Sequence, residues 1–175
     1  MTDSNMEKLV VELTEVIYSR YFGKYRGLVK QVDDENNQGR ITATVPEVFG
    51  DKESPWAFPS ALLAGPNYGL FMLPKEGDGV WIEFEAGDLA RPIWSGFWWA
   101  KNEMPKDAKE NVRILVTPGG HKIILDDDGN EIKLVHSGGA EITMTDDGIT
   151  LKKNSKKIVL SDQSVNINDG ALEVK

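Results

Sequence analysis

The first clear rhythm along the chain spans residues 4 to about 21. Met6, Leu9, Val10, Leu13, Val16 and Ile17 recur at i, i+3 and i+4 and so form one apolar stripe on a helix, with Glu7, Lys8, Glu12 and Glu15 elsewhere on the wheel. Ser4 and Glu7 stand at capping-box spacing, S-x-x-E, which marks the helix start independently of the periodicity. A helix this short is marginal in water by itself. Its stripe, centred on Leu9 and Leu13, therefore packs either on the domain after it or on a partner, a copy of itself included.

From residue 24 to about 99 the helical period is absent and short β-rich runs replace it. Residues 27–32 and 40–45 are separated by the polar stretch 33–39, which reads as a hairpin-type connection. A looped middle with Pro55, Pro59, Gly65, Pro66 and Gly69 leads to the run 70–73 and the turn Gly77-Asp78-Gly79. The alternating run 80–85 comes next, then a second turn at Gly87-Asp88-Leu89-Ala90 and a final run 92–99. About five short strands, bent by Gly and Pro and carrying most of the aromatics, predict a small closed or partly open barrel of the OB type. Trp81, Trp94 and Trp98 are assigned to filling it, because a barrel this small is hard to close with aliphatic side chains alone.

From about His121 onward the apolar residues come in pairs with one residue between them. The pairs are Ile123/Leu125, Ile132/Leu134, Ile142/Met144, Ile149/Leu151, Ile158/Leu160, Val165/Ile167 and Leu172/Val174, starting 9, 10, 7, 9, 7 and 7 residues apart. Each unit reads as a very short strand with one apolar face, and Asp128-Gly129, Gly138-Gly139, Asp147-Gly148 and Asp169-Gly170 mark the turns between them. A lone ribbon of such strands has nothing to bury that face against. Two arrangements stay open: a meander of hairpins lying on the barrel, or several identical chains closing their apolar faces around a common axis so that no edge remains. Three chains wound into a triangular prism suit units this short.

Composition narrows the chemistry. The 175 residues carry a net charge of −8 with no Cys, which excludes disulfides, thiolate catalysis and Cys-based zinc sites. Residues 1–105 hold 10 Lys and Arg against 16 Asp and Glu. That is the wrong balance for a nucleic-acid-binding OB module, which needs a basic groove beside its stacking aromatics. No apolar stretch approaches the ~20 residues that span a bilayer, and the acidic N-terminus lacks a signal-peptide core, so the expectation is a protein made in a cytoplasm and not membrane-integral. His121 and His136 are the only histidines. Asp126-Asp127-Asp128 fits a calcium loop poorly, because Glu131 stands where an EF-hand needs Gly. No catalytic, cofactor-binding or metal residue is assigned, and His121 is read as a hydrogen-bonded structural residue.

Two segments carry a family resemblance. Leu73-Pro74, Glu76-Gly77-Asp78-Gly79-Val80-Trp81-Ile82-Glu83-Phe84-Glu85-Ala86-Gly87-Asp88 and Arg91-Pro92-Ile93-Trp94-Ser95-Gly96-Phe97-Trp98 together resemble the OB domain of the central spike proteins of contractile phage tails. The same domain occurs in the valine-glycine-repeat spikes of type VI secretion and in extracellular contractile injection systems. Thr117-Pro118-Gly119-Gly120-His121-Lys122-Ile123-Ile124-Leu125-Asp126-Asp127 resembles the junction where that family's OB domain gives way to a trimeric β-helix.

The resemblance implies a mainly β chain in four parts: an N-terminal helix over 1–22 for hub docking, an OB-fold collar over 23–100, a linker over 101–116, and over 117–175 a needle. In the needle, an intertwined triple-stranded β-helix forms as a homotrimer held by Ile123, Leu125, Ile132, Leu134, Ile142, Ile149, Ile158, Val165 and Leu172. It further implies a spike in the virion tail baseplate or an injection-system particle, assembled in the bacterial cytoplasm. Such a spike sits under the tail tube, meets a baseplate hub protein on its N-terminal side, and pierces the target envelope when the sheath contracts. The lysozyme-like and hub domains of some members are not expected here. Both histidines lie far from the end, so a metal-pinned tip is not expected either, and a separate PAAR-type tip protein would cap the needle. The alternative readings are the nucleic-acid-binding OB module and a glycan-cleaving or glycan-binding tail protein.

Overall fold

The computed structural model describes residues 3–175, which fall into two compact units, one ending at Asn102 and the other starting at Glu103. The chain is mainly β, with a small N-terminal helix and an OB-like domain in the first unit.

The helix α1 spans Asp3–Tyr18, three residues shorter at its C-terminal end than the periodicity predicts. The side chain of Ser4, and with it the capping box, lies outside the described residues. Every residue over 5–18 is exposed, Leu9 and Leu13 at 55% and 52%, so the stripe is not buried on the barrel after it. The chain is tied to the barrel only after the helix ends. The Tyr21 N–H donates to the Gly87 carbonyl at 3.0 Å, and the Tyr21 ring packs on Tyr25 and Phe84.

The rest of the unit is built from β1 (Tyr25–Gln31), β2 (Thr42–Thr44), α2 (Pro46–Phe49), β3 (Phe58–Pro59), the small hairpin β4 (Ala64–Gly65) and β5 (Tyr68–Gly69), β6 (Gly79–Phe84) and β7 (Pro92–Phe97). The main sheet has the order β2-β1-β6-β7-β3, antiparallel except for the parallel β3–β7 pair. Closure comes from residues 53–59, which bridge to Thr44 and Ile41 on one side and pair with β7 on the other. Val29, Ile41, Ala43, Val45, Ala57, Val80, Ile82, Phe84 and Trp94 fill the interior. Gly77 and Gly87 sit at φ +88° and +74°, the left-handed region that the two turns around β6 require.

The structure corrects three expectations. The run 70–73 is not a strand; Phe71 is 76% exposed and the run forms no ladder with the barrel. Of the tryptophans assigned to the interior only Trp94 is buried. Trp81 alternates with the buried Val80 and Ile82 along β6 and so points to the outer face, and Trp98, beyond the end of β7, is likewise half-buried. The third concerns residues 112–116, placed in the linker by the sequence. They form β8 (Val112–Val116), and the alternating Val112, Ile114 and Val116 pair in full register with the next strand.

The second unit continues with β9 (Lys122–Asp126), β10 (Glu131–His136), β11 (Ala140–Thr145), β12 (Gly148–Lys153), β13 (Lys156–Leu160), β14 (Val165–Ile167) and β15 (Leu172–Val174). Each strand pairs antiparallel with the one before it, giving an eight-stranded meander in strict sequence order. Turns of a few residues permit no other neighbour.

The connection between β1 and β2 shows what holds a polar loop in place. Asp34, nearly buried, accepts from the backbone N–H groups of Asn36 (3.1 Å), Gln38 (2.8 Å) and Arg40 (3.2 Å), and its Oδ1 takes the Arg40 guanidinium at 2.6 and 3.1 Å. The Arg40 bond, aided by the three N–H groups and opposed by burial, holds the Asp34 carboxyl well below the ordinary carboxylate range. A depressed folded pKa contributes stability that is fully present above the unfolded value of about 3.9 and is lost as pH falls below it. Urea midpoints at pH 7 and pH 3 should therefore show the unmodified chain losing more stability on acidification than Asp34→Asn does. Equal losses would mean that this carboxylate contributes nothing to the acid limb.

Candidate functional site

No cluster of chemistry stands out. Among the described residues no group of three or more His, Cys, Asp or Glu side chains is placed to hold a metal ion, and no helix is long and apolar enough to cross a membrane. The surfaces that call for explanation are apolar.

The largest is one face of the meander. Residues directly opposite in a ladder point to the same side of the sheet, and the register lines the predicted pairs into two columns. Ile123 faces Leu134, Leu134 faces Ile142, and the line continues through Leu151, Ile158 and Ile167 to Leu172. Leu125 faces Ile132, and that line runs on through Met144, Ile149, Leu160 and Val165 to Val174. Leu115 of β8 extends the first column by one strand. Ile123, Leu125, Ile132, Leu134 and Ile158 each expose 40–44% of their surface, and Leu172 and Val174 more. The opposite face carries Ile124, Lys133, Thr143, Thr150, Val159 and Asn166 along its middle, more polar than the columns, and is the better covered of the two. A chain that aligns this many aliphatic side chains and leaves them half-open presents a surface for association.

His121 lies in the β8–β9 turn. Its backbone N–H donates to Thr117 Oγ1 at 3.1 Å, its Nδ1 accepts from the Ser137 N–H at 3.3 Å, and its ring centroid is 4.6 Å from that of His136. The nearby Lys122 is bonded to Asp107, which holds the Asp107 carboxyl below its ordinary range.

On the barrel, Trp81 and Trp98 flank the Arg26 guanidinium at 5.5 and 5.3 Å from their centroids, an outer-face cation–π cluster. Trp98 Nε1–H donates to the Val80 carbonyl at 3.0 Å. Lys24 bonds Glu83, which also accepts from Ser95, and both bonds hold the Glu83 carboxyl low. Sequence reasoning passed over a second apolar surface, the loop around β4 and β5, where Leu62 is 89% exposed with Leu63, Tyr68 and Phe71 close behind. Its signal was present as Leu62-Leu63 and Leu70-Phe71-Met72 in a Gly-rich loop, a composition unusual for solvent.

Two family models match the chain. The type VI secretion system and phage-baseplate injector OB domain matches residues 25–99, which are the barrel without α1. The phage baseplate V C-terminal trimerisation domain matches residues 111–173, which are the meander from β8 to β15. No curated protein matches the chain. The trimerisation match supports a homotrimer. With an injector OB domain followed by its trimerisation domain over most of its length, the chain belongs to the baseplate spike proteins of phage tails and type VI secretion systems.

Proposed function

We propose that the chain is the homotrimeric central spike of a contractile baseplate, attached beneath the tail tube and driven through the target envelope when the sheath contracts. The observation that carries this is the pair of aliphatic columns running the length of the meander and exposed in the single chain, a surface that three copies closing around one axis would bury. Closing three such sheets gives a β-prism whose backbone groups are hydrogen-bonded along every strand and whose interior is dry, a stiff rod suited to transmitting force. The work is mechanical and involves no bond chemistry. Assembly takes place in the bacterial cytoplasm before the spike is carried out with the particle.

The helix α1 is the hub-docking element in this reading. Its stripe is exposed from end to end while the barrel core is complete without it. At the other end, Leu172 and Val174 carry the two columns to the last strand at 54% and 59% exposure. These exposed side chains of β15 are the apolar surface that a PAAR-type tip protein covers in the trimer.

Deleting residues 1–20 tests the helix. The shortened chain should keep its trimeric state by light scattering and its melting temperature, while particles assembled with it lack the spike by mass spectrometry. Loss of the folded barrel on deletion would make the helix part of the core, and particles that still contain the spike would mean that docking uses another surface.

A further inference from the structure

The strands of the second unit run across its sheet, so the two long sides are made of turns, and those sides differ in charge. The side holding the β8–β9, β10–β11 and β12–β13 turns carries Lys122, Lys152, Lys153, Lys156 and Lys157. The side holding the β9–β10, β11–β12 and β13–β14 turns carries Asp126, Asp127, Asp128, Asp146, Asp147 and Asp162. Three of these lysines are already paired within the chain, Lys122 with Asp107, Lys152 with Glu141 at 3.8 Å and Lys157 with Asp169 at 2.6 Å. Among the described residues, the side chains of Lys156, Asp127, Asp147 and Asp162 have no partner within the chain.

We propose that these sides are the two halves of one contact between copies of this chain: the basic side of each meander docks on the acidic side of the next, and the charge pattern selects the parallel, closed trimer over wrong pairings. This rests on the trimer proposed for the spike and adds what directs it. In a ring closed by rotation, each chain meets its neighbour through two different surfaces, so one side always faces the opposite side. A copy inserted upside down, or a two-fold pairing of sheets edge to edge, would bring like sides together and set Asp against Asp or Lys against Lys.

Level along the axis agrees as well. Because the strands alternate in direction, turns on the two sides alternate in height. The Lys153–Lys156 turn therefore lies at a level between Asp146-Asp147 and Asp162 on the other side of its own sheet. Pure rotation sets it between those same acidic turns of the neighbour. Exposed pairs of this kind add little affinity. Their effect is on encounter rate and on rejection of wrong partners, while the aliphatic columns supply the cohesion.

The test uses the full chain, unfolded in urea, which adds no ionic strength, and reassembled on dilution at low salt. Light scattering on the unmodified chain comes first: a monomer would end the trimer reading itself, independently of the charge pattern. Lys156→Glu and Asp147→Lys alter groups with no partner in their own chain. Each should slow trimer formation about tenfold, and the variant carrying both should recover to within about threefold of the unmodified rate. High salt should remove the differences. Single variants that assemble at the unmodified rate would overturn the proposal, as would a double variant slowed by the product of the two single effects, since charge complementarity requires rescue.

Discussion

Replacing Ile158 with Asp is expected to abolish the trimer and to leave a chain that is monomeric or aggregated at every concentration. Ile158 lies in the middle of the first aliphatic column, directly opposite Leu151 and Ile167, and it is 40% exposed in the single chain. Closing three sheets would bring three carboxylates close to the axis, while the bases that share this face by register, Arg113, His136, Lys153 and Lys156, lie at its margins. The effective penalty is several kcal/mol for each buried unpaired ion, incurred three times over in one ring. The control is Thr143→Asp. Thr143 sits on the opposite face, where its cross-strand partner is Lys133, so the change should stay within about 0.5 kcal/mol. Light scattering and melting curves on the pair decide the matter. A stable trimer of the Ile158→Asp chain would place the columns on the outside of the assembly, and an equal loss from both variants would show that the choice of face has no importance.

In the barrel, Ile82→Ala should cost about 2–5 kcal/mol and Trp81→Ala distinctly less, although Trp81 is the larger side chain. Ile82 is fully buried among Val29, Val80 and Phe84, and its neighbour Gly27 is small enough to let the two strands approach: a Cβ there would lie 3.1 Å from Ile82 Cγ1. Truncation leaves a cavity that the closed barrel cannot collapse. Trp81 is half-buried on the outer face, and truncating it removes a cation–π contact with Arg26 together with some surface cover, worth about 0.5–1 kcal/mol at an exposed site. Urea midpoints of the two variants measure the contrast. A larger loss from Trp81→Ala would mean that this side chain is buried by assembly, in the collar of the trimer.

Much of the site was legible in the linear pattern, and particular residues show why. The pairs from Ile123/Leu125 to Leu172/Val174 were visible because a strand has a period of two and its apolar face must repeat it. The turns between them were visible because Gly and Asp mark tight reversals. Strand β8 escaped notice because its apolar positions come directly after the charged stretch over 101–110, which reads as linker. Trp81 and Trp94 are equally aromatic and both lie in alternating runs, so nothing local separates the one facing out from the one facing in. The Asp34 cradle was invisible for a related reason: a carboxylate in a polar loop looks the same whether it is solvated or collects three N–H groups and a guanidinium.

By itself, then, the sequence determined the division into helix, barrel strands and paired short strands, the absence of thiol chemistry, and the family, because these arise from periodicity, composition and the order of two distinctive segments. Tertiary structure alone decided which faces are closed and which are open. The helix stripe is bare, Trp81 is outside, the pairs stand in two unbroken columns, and the charges gather on opposite sides of one sheet. All of these depend on register and on closure, which arise from hydrogen-bond matching between strands and cannot be read from any one strand's own period.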